Sequence, residues 1–243
     1  MKYNRELSLG FITFIFISFF NSISIFSQHS FPFCENKGQL PNYIFSKVDI
    51  PSGSLYFQKN KIIYNFYDQK QLQKRHDLIN KDEYINAHSL SVEFLNSNNE
   101  SNSILKNKSN YFENYYLDNI SVNQVYFFDT LIHENIYEGI DYYIYPSKEG
   151  LKYDWRISPK TSPNKIKLKY TGQDNIFLKS DNLIIKTSLN IITEIAPIAY
   201  QFINGERIEV ECKFKLKNNI ISYDFPNLYD KNEELIIDPV LIF

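Results

Sequence analysis

Apolar and polar residues alternate one by one along much of the chain. The clearest run is residues 207–217, where six charged residues separate the apolar residues Ile208, Val210, Cys212, Phe214 and Leu216. Residues 151–157 and 165–170 repeat this pattern. Successive side chains of a β-strand point to opposite faces, so each run predicts a strand with one buried and one solvated face. Clean alternation favours antiparallel sheets over the continuously apolar strands of a parallel core.

The same pattern, interrupted by turn-forming pairs, predicts about fourteen short strands from Ser54 onward. They are residues 54–57, 61–67, 89–95, 124–131, 137–145, 150–157, 165–171, 175–179, 182–187, 190–194, 198–204, 207–217, 219–225 and 234–238. The predicted hairpin tips are Lys59-Asn60, Asp181-Asn182, Asn204-Gly205 and Asn218-Asn219.

Two further segments depart from the strand pattern. Residues 68–80 predict a helix capped by Asp68, with Leu72, His76 and Ile79 along one stripe. Residues 96–110 are polar and rich in Ser and Asn, which predicts a mobile loop. About fourteen short strands are too many for one flat sheet. We therefore expect an all-β fold with at most one short helix. It would be a large antiparallel β-sandwich or two packed β-sandwich lobes with a boundary near residues 96–120.

Residues 1–27 have the three parts of a cleavable secretory signal peptide. Lys2 and Arg5 precede an uncharged apolar run over residues 7–20, and the small residue Ser27 precedes a plausible cleavage point. A membrane anchor is the alternative, but a span needs ~20 apolar residues and this run is shorter. We expect cleavage to leave residues 28–243 as an exported domain without a membrane span. Its destination would be the periplasm, the cell surface or the extracellular space.

The net charge argues against nucleic acid as a partner. The formal net charge is −2 with both signs interspersed, which offers no basic surface for nucleic acid.

The chain has two cysteines, Cys34 and Cys212, which an exported context allows to pair. Closing so long a loop would stabilise the fold by ~4 kcal/mol. Two unpaired buried thiols remain the alternative.

Sequence motifs for catalysis or cofactor binding are missing. The histidines are scattered without metal-ligand spacing, and the chain contains no CxxC. The glycine-rich phosphate-binding patterns and the G-x-S-x-G nucleophile pattern are absent as well. We therefore expect no metal site, no cofactor and no enzymatic activity.

Aromatic residues beside a carboxylate suggest a carbohydrate contact. Tyr142, Tyr153 and Trp155 lie near Asp154, and residues 111–116 form another aromatic run. A glycosidase would need two carboxyl groups ~5 to 9.5 Å apart, a separation that the sequence does not reveal. These rings are equally the expected filling of a β core, which is the interpretation we favour. If the rings are buried, Asp154 faces water or a neighbouring sheet.

Seven segments, in order, resemble a domain of unknown function at the N-terminus of secreted Bacteroidota proteins. They are residues 35–39 (ENKGQ), 49–57 (DIPSGSLYF), 137–143 (YEGIDYY), 151–155 (LKYDW), 184–188 (IIKTS), 197–201 (PIAYQ) and 235–241 (LIIDPVL). In that family the domain usually precedes β-propeller-type repeats and often a type IX secretion sorting domain. No catalytic residues are established for it. The present chain stops at Phe243, about where the repeats would begin, which suggests a stand-alone version or a truncated product.

Two functions are compatible with these features. The preferred one is a non-enzymatic structural, adhesion or partner-binding module of the cell envelope or surface. The alternative is a carbohydrate-binding or carbohydrate-active β-sandwich that uses Tyr142, Tyr153, Asp154 and Trp155. A groove with exposed aromatic rings would favour the alternative, whereas a closed aromatic core would favour the first.

The predicted leader is tested by N-terminal sequencing of the mature protein. We expect the mature chain to begin at or near Gln28, since the small residue Ser27 ends the leader. An intact Met1 on a cytoplasmic product would contradict this expectation.

Overall fold

The structure, a computed structural model, describes residues 31–76, 84–117, 119–148 and 150–243. These residues form 19 strands, one α-helix and one 3-10 helix (Pro163–Lys165). The first part of the chain contains β1 (Phe33–Glu35), β2 (Ser46–Ile50), β3 (Gly53–Phe57), β4 (Lys61–Tyr67), α1 (Gln69–His76), β5 (Ala87–Phe94), β6 (Asn102–Leu117), β7 (Ile120–Tyr137), β8 (Ile140–Pro146) and β9 (Leu151–Ile157). The second part contains β10 (Leu168–Thr171), β11 (Asn175–Lys179), β12 (Asn182–Lys186), β13 (Ile191–Glu194), β14 (Ile198–Ile203), β15 (Glu206–Val210), β16 (Lys213–Lys217), β17 (Ile220–Asp224), β18 (Leu235–Asp238) and β19 (Val240–Ile242).

All these strands belong to one hydrogen-bonded antiparallel sheet. From β1 it runs through β2, β3, β4, β5, β10 and β17 to β16. In the other direction it runs through β7 and β8 to β9, which pairs with both β18 and β19. β18 leads to β14 and β15, and β19 leads to β13, β12 and β11. β11 and β16 end this order and contact each other, so the sheet curls around its own core.

The predicted all-β antiparallel fold with one short helix is confirmed for the described residues. The pairing shows one continuous curled sheet, however, so the separate sheets of a sandwich are not distinguished. The predicted loop at residues 96–110 agrees with the structure only over residues 96–101, and it is wrong from Asn102 onward, where β6 begins and pairs with β7 across the expected lobe boundary. Most side chains of β6 are exposed or half-buried, which removes the alternation that would have revealed a strand.

The predicted strand at residues 207–217 is two strands. β15 pairs with β14 and β16 pairs with β17, so the chain changes partners at Glu211 and Cys212. Val210, Cys212 and Phe214 are buried as expected, but Ile208 is exposed, as are its neighbours on both faces of β15 from Glu206 to Glu209.

Asparagine adopts the left-handed backbone conformation at two of the predicted hairpin tips. The predicted tips at Asn204-Gly205 and Asn218-Asn219 are confirmed, and all four residues have φ between 52° and 84°. This is the left-handed region, which Asn tolerates better than other residues with a Cβ. The third tip lies at Ser180-Asp181, one residue before the predicted pair.

The helix begins where the sequence predicts. The Asp68 Oδ1 atom accepts hydrogen bonds from the backbone N–H groups of Lys70 (3.0 Å) and Gln71 (3.1 Å), which makes Asp68 the N-cap. Leu72 is exposed, so the proposed stripe is not buried there, and Ile79 and Asn80 lie outside the described residues. No helix in the described ranges combines the length and apolar content that crossing a bilayer requires.

Trp155 lies at the centre of an aromatic core. Its ring centroid is 4.7 Å from that of Tyr142, its cross-strand neighbour, and 5.9 Å from that of Phe94. The indole N–H donates to the hydroxyl of Tyr223 at 2.9 Å, so its polar atom is satisfied. The inner faces of β5, β8, β9 and β17 are thereby joined through one side chain.

Two glycines should differ sharply when replaced by alanine. Gly205 has φ +84° with open space around it, so Gly205→Ala should cost about 1 kcal/mol through backbone strain. A Cβ at Gly53 would lie 2.0 Å from the Asn65 carbonyl oxygen, so Gly53→Ala should cost about 3 kcal/mol. Urea unfolding measures both losses. Equal losses would contradict the close approach of β3 and β4.

Candidate functional site

The predicted sugar-contact rings lie inside the core. Tyr142, Tyr153 and Trp155 are all buried, with Trp155 fully excluded from solvent. A sugar stacks on an exposed ring face, and none of these three rings presents one in the structure. These three residues therefore lie in the core, as in the interpretation favoured from the sequence.

Asp154 lies on the opposite face of β9, where neighbouring side chains cover it. Its Oδ1 atom accepts a hydrogen bond from the Tyr145 hydroxyl at 2.9 Å, and its Oδ2 atom is 3.9 Å from the guanidinium of Arg156. Lys152 Nζ is 3.1 Å from Asp238 Oδ2. Burial raises the pKa of Asp154, and the nearby charge of Asp238 raises it further. These contacts join adjacent strands and leave the Asp154 side chain only 7% exposed.

A buried carboxylate that the sequence analysis missed lies in the core. Glu194 accepts hydrogen bonds from the hydroxyls of Tyr153 (2.7 Å) and Tyr170, and it is almost fully excluded from solvent. Burial raises its pKa, although both hydroxyl bonds favour the ionised form. The signal in the sequence was its position two residues after Ile192 on the same inward face of β13. Its enclosure points to a structural role.

His133 is also buried, on β7. Its Nδ1 atom lies 2.6 Å from the Ser103 hydroxyl, and its Nε2 atom has no hydrogen-bond partner among the described residues. Burial lowers the pKa of His133 to about 4, so the ring is neutral near pH 7. A serine beside a histidine resembles a nucleophile and its base, but no carboxylate in the described ranges orients this ring.

The two cysteines are free thiols in the structure. Cys34 lies on β1, 3.8 Å from the Tyr115 hydroxyl, and Cys212 lies between β15 and β16. Both are buried, and burial raises the pKa of Cys212 to about 12. This is the arrangement that the sequence left open as the alternative to a disulfide.

The most exposed aromatic surface lies on the long hairpin of β6 and β7. β1 joins β7 at Phe127 and Phe128, and beyond that point the hairpin continues as two strands alone. We call this part, residues 111–117 and 119–126, the aromatic arm. Its large exposed side chains, with their exposed fractions, are Tyr111 (59%), Phe112 (41%), Tyr116 (65%) and Leu117 (63%). The sequence-based interpretation that the aromatic run at residues 111–116 fills the core is therefore wrong for most of its rings.

Neighbouring side chains fix the orientation of the arm's rings. The hydroxyls of Tyr111 and Tyr115 donate to the two carboxylate oxygens of Glu113 at 2.9 and 2.8 Å. Across the hairpin, the Tyr126 ring lies 5.6 Å from that of Phe112, between centroids. Side chains held in place before binding lose less entropy when a partner docks.

The ENKGQ segment, residues 35–39, begins at the last residue of β1 and braces the arm. Glu35 Oε1 accepts a hydrogen bond from the backbone N–H of Tyr126 at 2.8 Å. Lys37 Nζ donates to the backbone carbonyls of Asn123 and Gln124, both at 3.1 Å. These side chains therefore cap the edge of β7 at the point where it extends past β1.

The other members of this segment hold its own loop. Asn36 Nδ2 donates to the Ile44 carbonyl at 2.7 Å, and Asn36 Oδ1 accepts from the N–H of Gly38 at 2.9 Å. Gln39 reaches back to the carbonyl of Glu35. Every residue of the segment thus has a defined structural contact.

A groove runs between this loop and the start of β6. It has a volume of about 1060 Å³ and is lined by most of residues 35–45, the turn at residues 58–60, Phe128 and residues 101–105. We call it the β6 groove. In the described part of the chain, no three His, Cys, Asp or Glu side chains are placed to hold a metal ion.

The fold and these surfaces define an all-β, single-sheet domain with a projecting aromatic arm. A family model described as a domain of unknown function (DUF7948) matches residues 33–240, and the chain belongs to this family. The comparisons with curated proteins and with solved structures found no match.

The buried His133 should make stability depend on pH. The unfolded chain binds a proton below pH 6.5, whereas the folded chain resists protonation down to about pH 4. The stability that neutral His133 contributes is therefore present above pH 6.5 and is lost as pH falls towards 4, by about 3 kcal/mol.

The measurement compares urea unfolding of the wild type and His133→Phe between pH 7 and pH 4. The difference between the two proteins isolates His133, because the raised pKa values of Glu194 and Asp154 act equally in both. Parallel pH profiles would show that His133 is not buried in its neutral form.

Proposed function

We propose that this chain is an exported, non-enzymatic domain that binds a partner of the cell envelope or surface through its aromatic arm. The observation that carries the proposal is the set of exposed, pre-oriented apolar side chains on a two-stranded projection. Aromatic residues are enriched at the centres of protein interfaces, because their large area is buried at low entropic cost.

The burial of three acid–base groups supports the non-enzymatic role. The groups of the described residues best suited to acid–base chemistry, Asp154, His133 and Glu194, are buried among their neighbours. A general acid or base must reach the proton that it transfers, and enclosed groups lack that access.

The location rests on the N-terminal leader pattern and on the family resemblance. We infer that residues 1–27 direct export and that residues 28–243 act in the periplasm, at the cell surface or outside the cell. By the same resemblance, the domain would serve as the N-terminal module of secreted Bacteroidota proteins, ahead of β-propeller-type repeats and a type IX sorting domain.

Glycan binding is the second candidate, and one observation favours it. Tyr111, Phe112 and Tyr116 present exposed rings, which the core residues Tyr142 and Trp155 do not. A tyrosine ring stacks on a sugar while its hydroxyl remains in water.

Site-specific photo-crosslinking tests the arm. A photoreactive phenylalanine analogue is placed at Tyr116 in the full chain, in cells that produce the protein naturally. We expect illumination to yield an adduct of higher mass, because Tyr116 lies on the proposed contact surface. The same analogue at Leu228, which is 98% exposed and distant in sequence, is the control and should yield none.

No adduct at position 116, or equal adducts at both positions, would contradict partner binding by the arm. A glycan array separates the second candidate. Binding that falls about tenfold or more in a Tyr111→Ser, Phe112→Ser, Tyr116→Ser variant would assign the arm to a sugar instead.

A further inference from the structure

The outer edge of β6 is an unpaired strand edge. β7 residues such as Leu131 pair with β6 on one side and β8 on the other, which places β6 beyond β7. Among the described strands, the residue pairings give β6 a single partner, β7, so its far side is unpaired. Its register with β7 is uninterrupted from Asn102 to Lys106, before the irregularities that begin after Lys108. An unpaired, regular edge is a template for another strand.

The two outer edges of the β6–β7 hairpin differ in whether side chains cap their backbone groups. Side chains of Glu35 and Lys37 cap the exposed part of the β7 edge. Among the described residues, no side chain hydrogen-bonds to the backbone of Asn102 to Lys106. Protein edges are usually blocked by charges, bulges or a covering segment. This stretch of β6 has no such cover.

The β6 groove follows that edge. Ser101, Asn102, Ser103, Ile104 and Leu105 all line it. Successive side chains of a strand point to opposite faces, so consecutive lining residues mean that the groove runs along the edge and not over one face. Five residues of extended chain span about 17 Å.

The walls of the groove suit an extended peptide. Ile44, Phe45 and Phe128 line the groove together with Ile104 and Leu105 and supply its apolar surface. Alternate side chains of an added strand would point into these walls while its backbone pairs with β6. The Oγ atom of Ser101 is buried in this lining and has no hydrogen-bond partner among the described residues.

Two exposed lysines lie at the groove, one in its lining and one beside it. Lys59 lies in its lining and Lys106 ends the regular stretch of β6; both are exposed. Neither lysine forms an ion pair within the described ranges. The carboxylate in the lining, Glu35, is engaged by the Tyr126 N–H. An occupant with acidic residues would complement this rim.

From these features we propose that residues 102–106 bind an extended acidic segment of a partner protein as an additional antiparallel strand. The inference deepens the proposed function, on which it rests, by naming the class of partner and a second contact surface. A strand edge presents N–H and C=O groups at the spacing of another peptide backbone, which a sugar chain does not match.

Selection from a library of random twelve-residue peptides, displayed on phage and applied to the immobilised full chain, tests this site. We expect the selected peptides to combine acidic residues with alternating apolar ones. Hydrogen exchange with a selected peptide should show slowed exchange of the amides in residues 102–106. N-methylation of alternate peptide amides should weaken binding by about tenfold or more, because it removes the pairing donors.

Charge reversal provides a matched pair of variants. Lys59→Glu with Lys106→Glu should weaken the selected peptides by about tenfold, whereas Lys215→Glu with Lys217→Glu makes the same charge change on β16 and should not. Equal thermal unfolding of the two variants confirms that both are folded.

An empty selection, protection elsewhere in the chain, or insensitivity to N-methylation would each overturn the strand-addition site. Displacement of the peptides from the groove by a polysaccharide would overturn it in favour of a sugar. In any of these cases, persistent crosslinks from Tyr116 would leave the partner-binding function standing. If the Tyr116 crosslinks and peptide binding are both lost, both the strand-addition site and the proposed partner-binding function are contradicted.

Discussion

The backbone N–H and C=O groups at the edges of a sheet need partners, and this requirement organises the whole molecule. Curling of the sheet brings its end strands β11 and β16 into contact, although no described pairing joins them. At β7 the requirement is met by side chains, because Glu35 and Lys37 cap the exposed part of its edge. Along the far side of β6, residues 102–106 pair with no described strand, and this is the edge at which we propose that a partner strand is added.

The curl creates an interior that must also satisfy polar atoms. The hydroxyls of Tyr153, Tyr170 and Tyr223 lie inside it, where each finds Glu194 or Trp155. A buried polar group without a partner would cost several kcal/mol. The tyrosine hydroxyls and the Glu194 carboxylate therefore stabilise each other inside the core. The same enclosure takes these groups out of any role in chemistry at the surface.

Period-two alternation predicted strands with little error where one face is wet and the other buried, as in β4 and β12. It failed for β6, whose side chains are largely exposed on both faces, and for β15 and β16, where a change of pairing partner leaves no mark in the pattern. The candidate site was misplaced for a related reason. Alternation assigns Trp155 and Asp154 to opposite faces, but it cannot tell which face the rest of the sheet covers.

The last strand, β19, lies between β9 and β13 and holds the two branches of the sheet together. During synthesis, β9 and β13 emerge before residues 240–242, so β19 can pair with them only after those residues are made. Contacts between residues far apart in sequence slow folding, because the intervening chain must first be ordered. The pairing of β19 is therefore a late step, and the forms that precede it carry unpaired strand edges that favour aggregation.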